Sequence, residues 1–133
     1  MDKSALKLAF ASLRPAILDK SGEFKYILVD LTDPLTGDKL TLVRGSGKFE
    51  FHANILKHFK TTEFDPINDK NGGRFTATCP GGGWVRAEPN SIFLYFKSIK
   101  YGPGDHELAK TIIESDLEFE GVNIQTEGKS SAY

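Results

Sequence analysis

One stretch, Val43 to Phe59, reads VRGSGKFEFHANILKHF and gathers the side chains best suited to chemistry. Arg44 and Lys48 carry positive charge, and His52 is of the one residue type that titrates near neutral pH. Cations beside an imidazole suit an anionic ligand, a phosphoryl group above all, whose handling depends on positioning and charge neutralisation. Other constellations fail on inspection. GSGK (Gly45–Lys48) resembles the end of a phosphate-binding loop, but Leu42 stands where its first glycine belongs and Phe49 where its Ser or Thr belongs. His52 and His58 lack metal-ligand spacing and Cys79 stands alone, so no metal site is indicated. A single cysteine without a paired base is more often inert than reactive. Gly81–Gly83 reads as a flexible turn or a bulge into a strand that could offer N–H groups to an anion.

Such residues need elements to hold them. FKYILVDL (Phe24–Leu31) and KLTLVR (Lys39–Arg44) read as strands separated by a loop at Asp33–Asp38. Pro15–Leu18 reads as a short extended piece before a turn at Asp19–Gly22, and Ala5–Leu13 suits helix or extended chain equally. A helix is expected from about Glu50 to Lys60, then a loop from Asp65 to Gly73 with Pro66 and Asn71-Gly72-Gly73 as breakers. RFTATC (Arg74–Cys79), GWVRAE (Gly83–Glu88) and SIFLYFKSI (Ser91–Ile99) read as three strands, the last two joined as a hairpin at Pro89-Asn90. Asp105 is a good N-cap for a helix to about Ser115, and Leu117–Ile124 reads as a last strand. The polar tail, 126–133, is expected to be flexible.

The expected fold is therefore α+β: one domain spanning 1–133, with a mixed, mostly antiparallel sheet of about six strands flanked by two main helices. Residues two apart on a strand share a face. Lys25 shares one with Ile27, Val29 and Leu31; Arg44 with Leu40 and Leu42; Trp84 with Arg86. Ile92, Leu94, Phe96, Ser98 and Lys100 should likewise share a face. Apolar faces that end in cations or hydroxyls can be plain strand ends, where long side chains snorkel to water. Several together point to an anion pocket at one end of the sheet. On the helix, Phe51, Ile55, Leu56 and Phe59 form an apolar arc at about 100° per residue that includes His52. His52 is then either a satisfied core histidine or a site residue at the helix entry, where free N–H groups and the dipole favour an anion.

Composition narrows the class. The 133 residues are 39% hydrophobic and 26% charged, with net charge −1 and a sequence pI near 6.3. That is ordinary for a globular domain and lacks the basic excess of a nucleic-acid protein. No apolar run approaches the roughly 18 residues of a membrane span. One cysteine cannot form an internal disulfide, which points to the cytoplasm. The Ser/Lys/Arg-containing start has a weak presequence look that Asp2 counts against.

GEFKYILV (Gly22–Val29), VRG (Val43–Gly45) followed by FEFHANI (Phe49–Ile55), CPGGG (Cys79–Gly83) and SIKYGPGDH (Ser98–His106) resemble the small phosphohistidine phosphatases, the Janus/ocnus family, in order and spacing. No single motif is diagnostic, but the set is specific from about Pro15 to Ile124. The resemblance implies a metal-independent hydrolase without cofactors that removes phosphate from phosphohistidine in partner proteins, acting as a monomer. It implies His52 as the catalytic residue, as general base or as covalent nucleophile. Lys25, Arg44, Ser98 and Lys100 would be the phosphate-binding positions, and His106 a supporting one. Where relatives can carry an arginine directly after GGG this chain has Trp84, so Arg86 is the candidate replacement, with Trp84 walling the pocket. Lys25, Arg44, His52 and Ser98 are then expected around one phosphate-sized volume. Two other classes stay open: a module that binds phosphorylated partners without turnover, and a developmental family member without catalysis.

Overall fold

The computed structural model describes residues 4–127. Its spine is the strand β2 (Gly22–Thr32), whose apolar side chains occupy both faces. Phe24, Tyr26 and Leu28 enter one core; Ile27, Val29 and Leu31 enter another. A strand apolar on both faces must be covered on both faces, and the rest of the fold supplies the covers. Helix α4 (His106–Glu114) closes the first core with Ala109 and Ile113. Helices α1 (Ala5–Ala9) and α2 (His52–Phe59) close the second with Leu6, Ile55 and Phe59. Burying Phe59, which is 1% exposed, contributes roughly 2–3 kcal/mol of transfer free energy.

The sheet has six strands in the order β1-β3-β2-β4-β5-β6. β3 (Lys39–Gly45) and β4 (Thr76–Glu88) pair antiparallel to β2, and β5 (Ser91–Tyr95) pairs antiparallel to β4. The edge strands β1 (Ala16–Ile17) and β6 (Asn123–Thr126) pair parallel to β3 and β5. This is the single α+β domain with a mixed, mainly antiparallel sheet that the patterning implies.

Three local readings are corrected. The segments Arg74–Cys79 and Gly83–Glu88 are not separate strands: β4 runs through both. Proline in an inner strand normally interrupts the ladder. Here the β2–β4 register shifts between Leu28 and Asp30, leaving Cys79 and Pro80 opposite Val29 in a bulge that absorbs the missing donor. The glycines that follow are tightly enclosed: a Cβ on Gly81 would sit 2.4 Å from Pro103 O, and one on Gly83 2.7 Å from His106 Cε1. Gly82 N–H already donates to Gly102 O at 3.1 Å, so it is not available to an anion.

The loop expected at Asp65–Gly73 is largely helical. α2 continues through a π turn at Lys60–Phe64 into α3 (Asp65–Lys70). Pro66 sits in the first turn of α3, where its lost N–H costs little. The wide π turn lies just before it, where a proline ring would otherwise crowd the preceding turn. The hydroxyls of Thr61 and Thr62 donate to Lys57 O and His58 O beside it. Finally, Leu117–Phe119 is a 3-10 turn whose Phe119 is buried, and the last strand begins only at Asn123. Thr126 is the end of that strand; the rest of the expected tail lies almost wholly outside the described residues.

Candidate anion-binding site

Helix α2 begins beside the glycine run of β4. Its N-cap position is Phe51, which has no side-chain oxygen to cap the first turn; Asn54 Oδ1 instead accepts from Phe51 N–H at 3.1 Å. His52, the first helical residue, is 6% exposed and lies against Gly82, whose added Cβ would be 3.1 Å from His52 Cδ2. Only a glycine lets the ring approach the sheet this closely. His52 Nε2–H donates to Gly83 O at 2.9 Å, leaving Nδ1 as the acceptor of the neutral ring. Burial holds the His52 pKa below its ordinary value, the Gly83 bond opposes that, and the Lys25 charge adds to the lowering.

Around His52 is a cleft of about 560 Å³. Lys25, Trp84, Lys97 and Lys100 border it, with Phe51, Asn54, Phe96 and Ile99. Register brings two of these together: Lys25 and Trp84 are cross-strand partners on one sheet face. Lys25 Nζ donates to Glu50 O and lies 5.3 and 5.5 Å from the ring centroids of Phe51 and Trp84. Among the described residues, no lysine of this cleft is in a salt bridge.

The other positions singled out in the sequence lie elsewhere. Arg44 shares the Lys25 face, pairing with Ile27 on β2, but α2 comes between. Ile55, His58 and Phe59 border the Arg44 cleft, about 170 Å³, whereas His52, Ala53 and Asn54 border the lysine cleft. Arg44 forms a bidentate pair with Glu63 of the π turn at 2.9 and 2.7 Å, with its side chain only 5% exposed. Arg86 stands over Phe93 and Tyr95 and reaches Glu23 Oε2 at 3.4 Å, beside a separate groove near β6. The Ser98 hydroxyl is buried and accepts from Tyr101 N–H at 3.0 Å. His106 lies on the opposite sheet face, bonded to Tyr26 Oη through Nδ1 and donating Nε2–H to Phe96 O at 2.9 Å. The structure therefore gathers His52, Lys25, Trp84 and Lys100 around one cleft, which Arg44, Arg86, Ser98 and His106 do not line.

Sequence reading missed Lys97, Phe51 and Phe96 as cleft residues and Glu63 as the partner of Arg44. Alternation assigned Phe96 to the face of Leu94, but β5 ends at Tyr95 and Phe96 has φ +59°, which breaks the period. Glu63 carried no local signal, because its role depends on a turn type that its own sequence does not announce. Burial pushes the Cys79 thiol up to about 11, which keeps it protonated at neutral pH. Among the described residues no cluster of metal-ligating side chains occurs, and no helix is long and apolar enough to cross a membrane.

Fold and cleft together define a single α+β domain with a cationic, aromatic-walled recess at the start of its principal helix. The Janus/Ocnus family model matches residues 10–123, and the chain belongs to that family. It is 29% identical over 117 residues to sex-regulated protein janus-A of Drosophila pseudoobscura pseudoobscura, covering 84% of this chain and 74% of the relative. It is 28% identical over 122 residues to sex-regulated protein janus-A of Drosophila melanogaster, covering 90% of this chain and 84% of the relative. These relatives bear the name of sex-regulated proteins, not of phosphatases. That overturns the expectation of a phosphohistidine phosphatase, and with it the hydrolase assignment.

Proposed function

We propose that this Janus/Ocnus protein is a non-catalytic binding module that takes a phosphorylated segment of a partner protein into the Lys25–His52–Lys100 cleft. The observation that carries the reading is the division of the basic residues. Phosphoryl transfer needs several cations focused on one group as charge develops. Here Arg44 is buried and neutralised by Glu63, Arg86 lies beside Glu23, and the Ser98 hydroxyl is enclosed. Lys25, Lys97 and Lys100 form a positive rim, which suits ground-state recognition of an anion. His52, held to the Gly83 carbonyl, anchors the helix to the sheet and forms the cleft floor. The free Cys79 thiol suits work in the cytoplasm.

Trp84 is the only tryptophan in the chain and lines the cleft, so its fluorescence reports on the site. Titration with a phosphorylated peptide should change the Trp84 emission, with weaker binding at higher salt. Lys25→Ala and Lys100→Ala should each weaken that response several-fold. No inorganic phosphate should be released from a phosphohistidine peptide under the same conditions. Catalytic release, or binding indifferent to both lysines, would overturn the reading.

A further inference from the structure

Phe96 is the only non-glycine residue among those described with a positive φ, +59°. A large side chain rarely adopts that conformation, and it persists only where its surroundings impose it. Both backbone polar groups of Phe96 are held. Its N–H donates to Glu127 Oε2 at 2.8 Å, and its carbonyl accepts His106 Nε2–H at 2.9 Å. The outcome is a change of face: Leu94 is buried against α4, but the Phe96 ring lines the opposite cleft and is 45% exposed. Phe51, at 57% exposed, and Trp84 border the same recess. An anion alone needs none of this aromatic surface. Lys25 would serve it without two rings nearby, and Lys97 and Lys100 without a third.

Resting on the anion-binding reading above, we propose that the cleft selects phosphotyrosine. The aryl ring would lie among Phe51, Trp84 and Phe96, and the dianionic phosphate would meet Lys25, Lys97 and Lys100. An apolar ring gains from offset or edge contacts with aromatic walls, whereas phosphoserine and phosphothreonine reach the lysines and leave those walls bare. A volume of about 560 Å³ also falls within the range of sites that enclose small ligands. Phe96 is thus a specificity residue, and His106 positions it from the far side of the sheet.

The test is calorimetric titration of the full chain with four probes: a phosphotyrosine peptide, the same peptide with phosphoserine, the same peptide with unmodified tyrosine, and inorganic phosphate. Phosphotyrosine should bind about five- to ten-fold tighter than phosphoserine, the fold-change expected from one or two aromatic contacts. Phe96→Ala should weaken phosphotyrosine binding more than phosphoserine binding and so remove most of that preference, and Phe51→Ala should act in the same direction. Equal binding of the two phosphopeptides overturns this inference and leaves the anion-binding reading standing. Equal binding of phosphorylated and unmodified tyrosine also overturns it. Binding of none of the phosphorylated probes overturns both.

Discussion

Two clefts flank α2, and each receives a basic side chain from the same face of the sheet. In one, Arg44 is buried beneath the helix and held by both oxygens of Glu63. In the other, Lys25 lies open beside two aromatic rings, with Lys97 and Lys100 nearby and no carboxylate paired to any of them among the described residues. The first arrangement is what folding demands of a buried charge, which is costly unless paired. The second leaves charge uncompensated at the surface, where it costs little and can attract a ligand. Equal charges on one sheet face thus acquire opposite uses, decided by whether a carboxylate reaches them.

The largest effect should follow from breaking the compensated cleft. Glu63→Ala leaves the Arg44 guanidinium buried without its partner and should cost about 3 kcal/mol of stability, read as a lowered urea midpoint. Where the variant stays folded, the phosphopeptide response of Trp84 should persist. A stable Glu63→Ala protein that gains phosphate affinity would mean that the Arg44 cleft, not the lysine cleft, is the anion site.

A smaller effect should sharpen the contrast from the other side. Gly82→Ala would place a Cβ 2.4 Å from Tyr26 O and 3.1 Å from His52 Cδ2, so the backbone or the imidazole must move. A cost of about 1–3 kcal/mol is expected, typical of overpacking. Loss of the Trp84 response to phosphopeptide should accompany it, while the Arg44–Glu63 pair is untouched. Unaltered stability and binding together would show that His52 does not need its close seat on the sheet.

The smallest predicted effect concerns pH. Burial lowers the pKa of both His52 and His106 below the ordinary 6.5. A histidine that resists protonation in the fold stabilises it fully above the unfolded pKa, and that stability is lost as pH falls from about 6.5 toward the folded value. Asp33, Asp116, Glu23 and Glu118, whose pKa values are also lowered, add a loss in the same direction as pH falls toward their ordinary 3.8 and 4.5. Urea midpoints measured at pH 7.5 and 5 therefore carry a histidine share and a smaller glutamate share, and a His52 variant separates out the share of His52. Wild type should be less stable at pH 5, and His52→Gln, which keeps a donor for Gly83 O, should show a smaller difference. An identical difference in both proteins would remove His52 from the account.

Local pattern by itself determined most of the frame. The two-sided apolar run Phe24–Leu31 required a central strand covered on both faces, and Asp105 marked the start of α4, where its carboxylate accepts from Leu108 N–H. The spacing of Ile55 and Phe59 placed α2 on the sheet with His52 beneath it. These follow from side-chain periods of 2 and 3.6, which neighbouring residues impose on one another. Where period gave way to special backbone geometry, the pattern misled. Pro80 hid a continuous β4, Pro66 hid a helix behind a π turn, and the positive φ of Phe96 turned a core-facing residue into a cleft wall. Only the tertiary structure decided the fate of the charges. Glu63 is distant in sequence from Arg44, and Lys97 and Lys100 from Lys25, so compensation and exposure depend on which loops the folded chain brings together, a long-range outcome that no local spacing encodes.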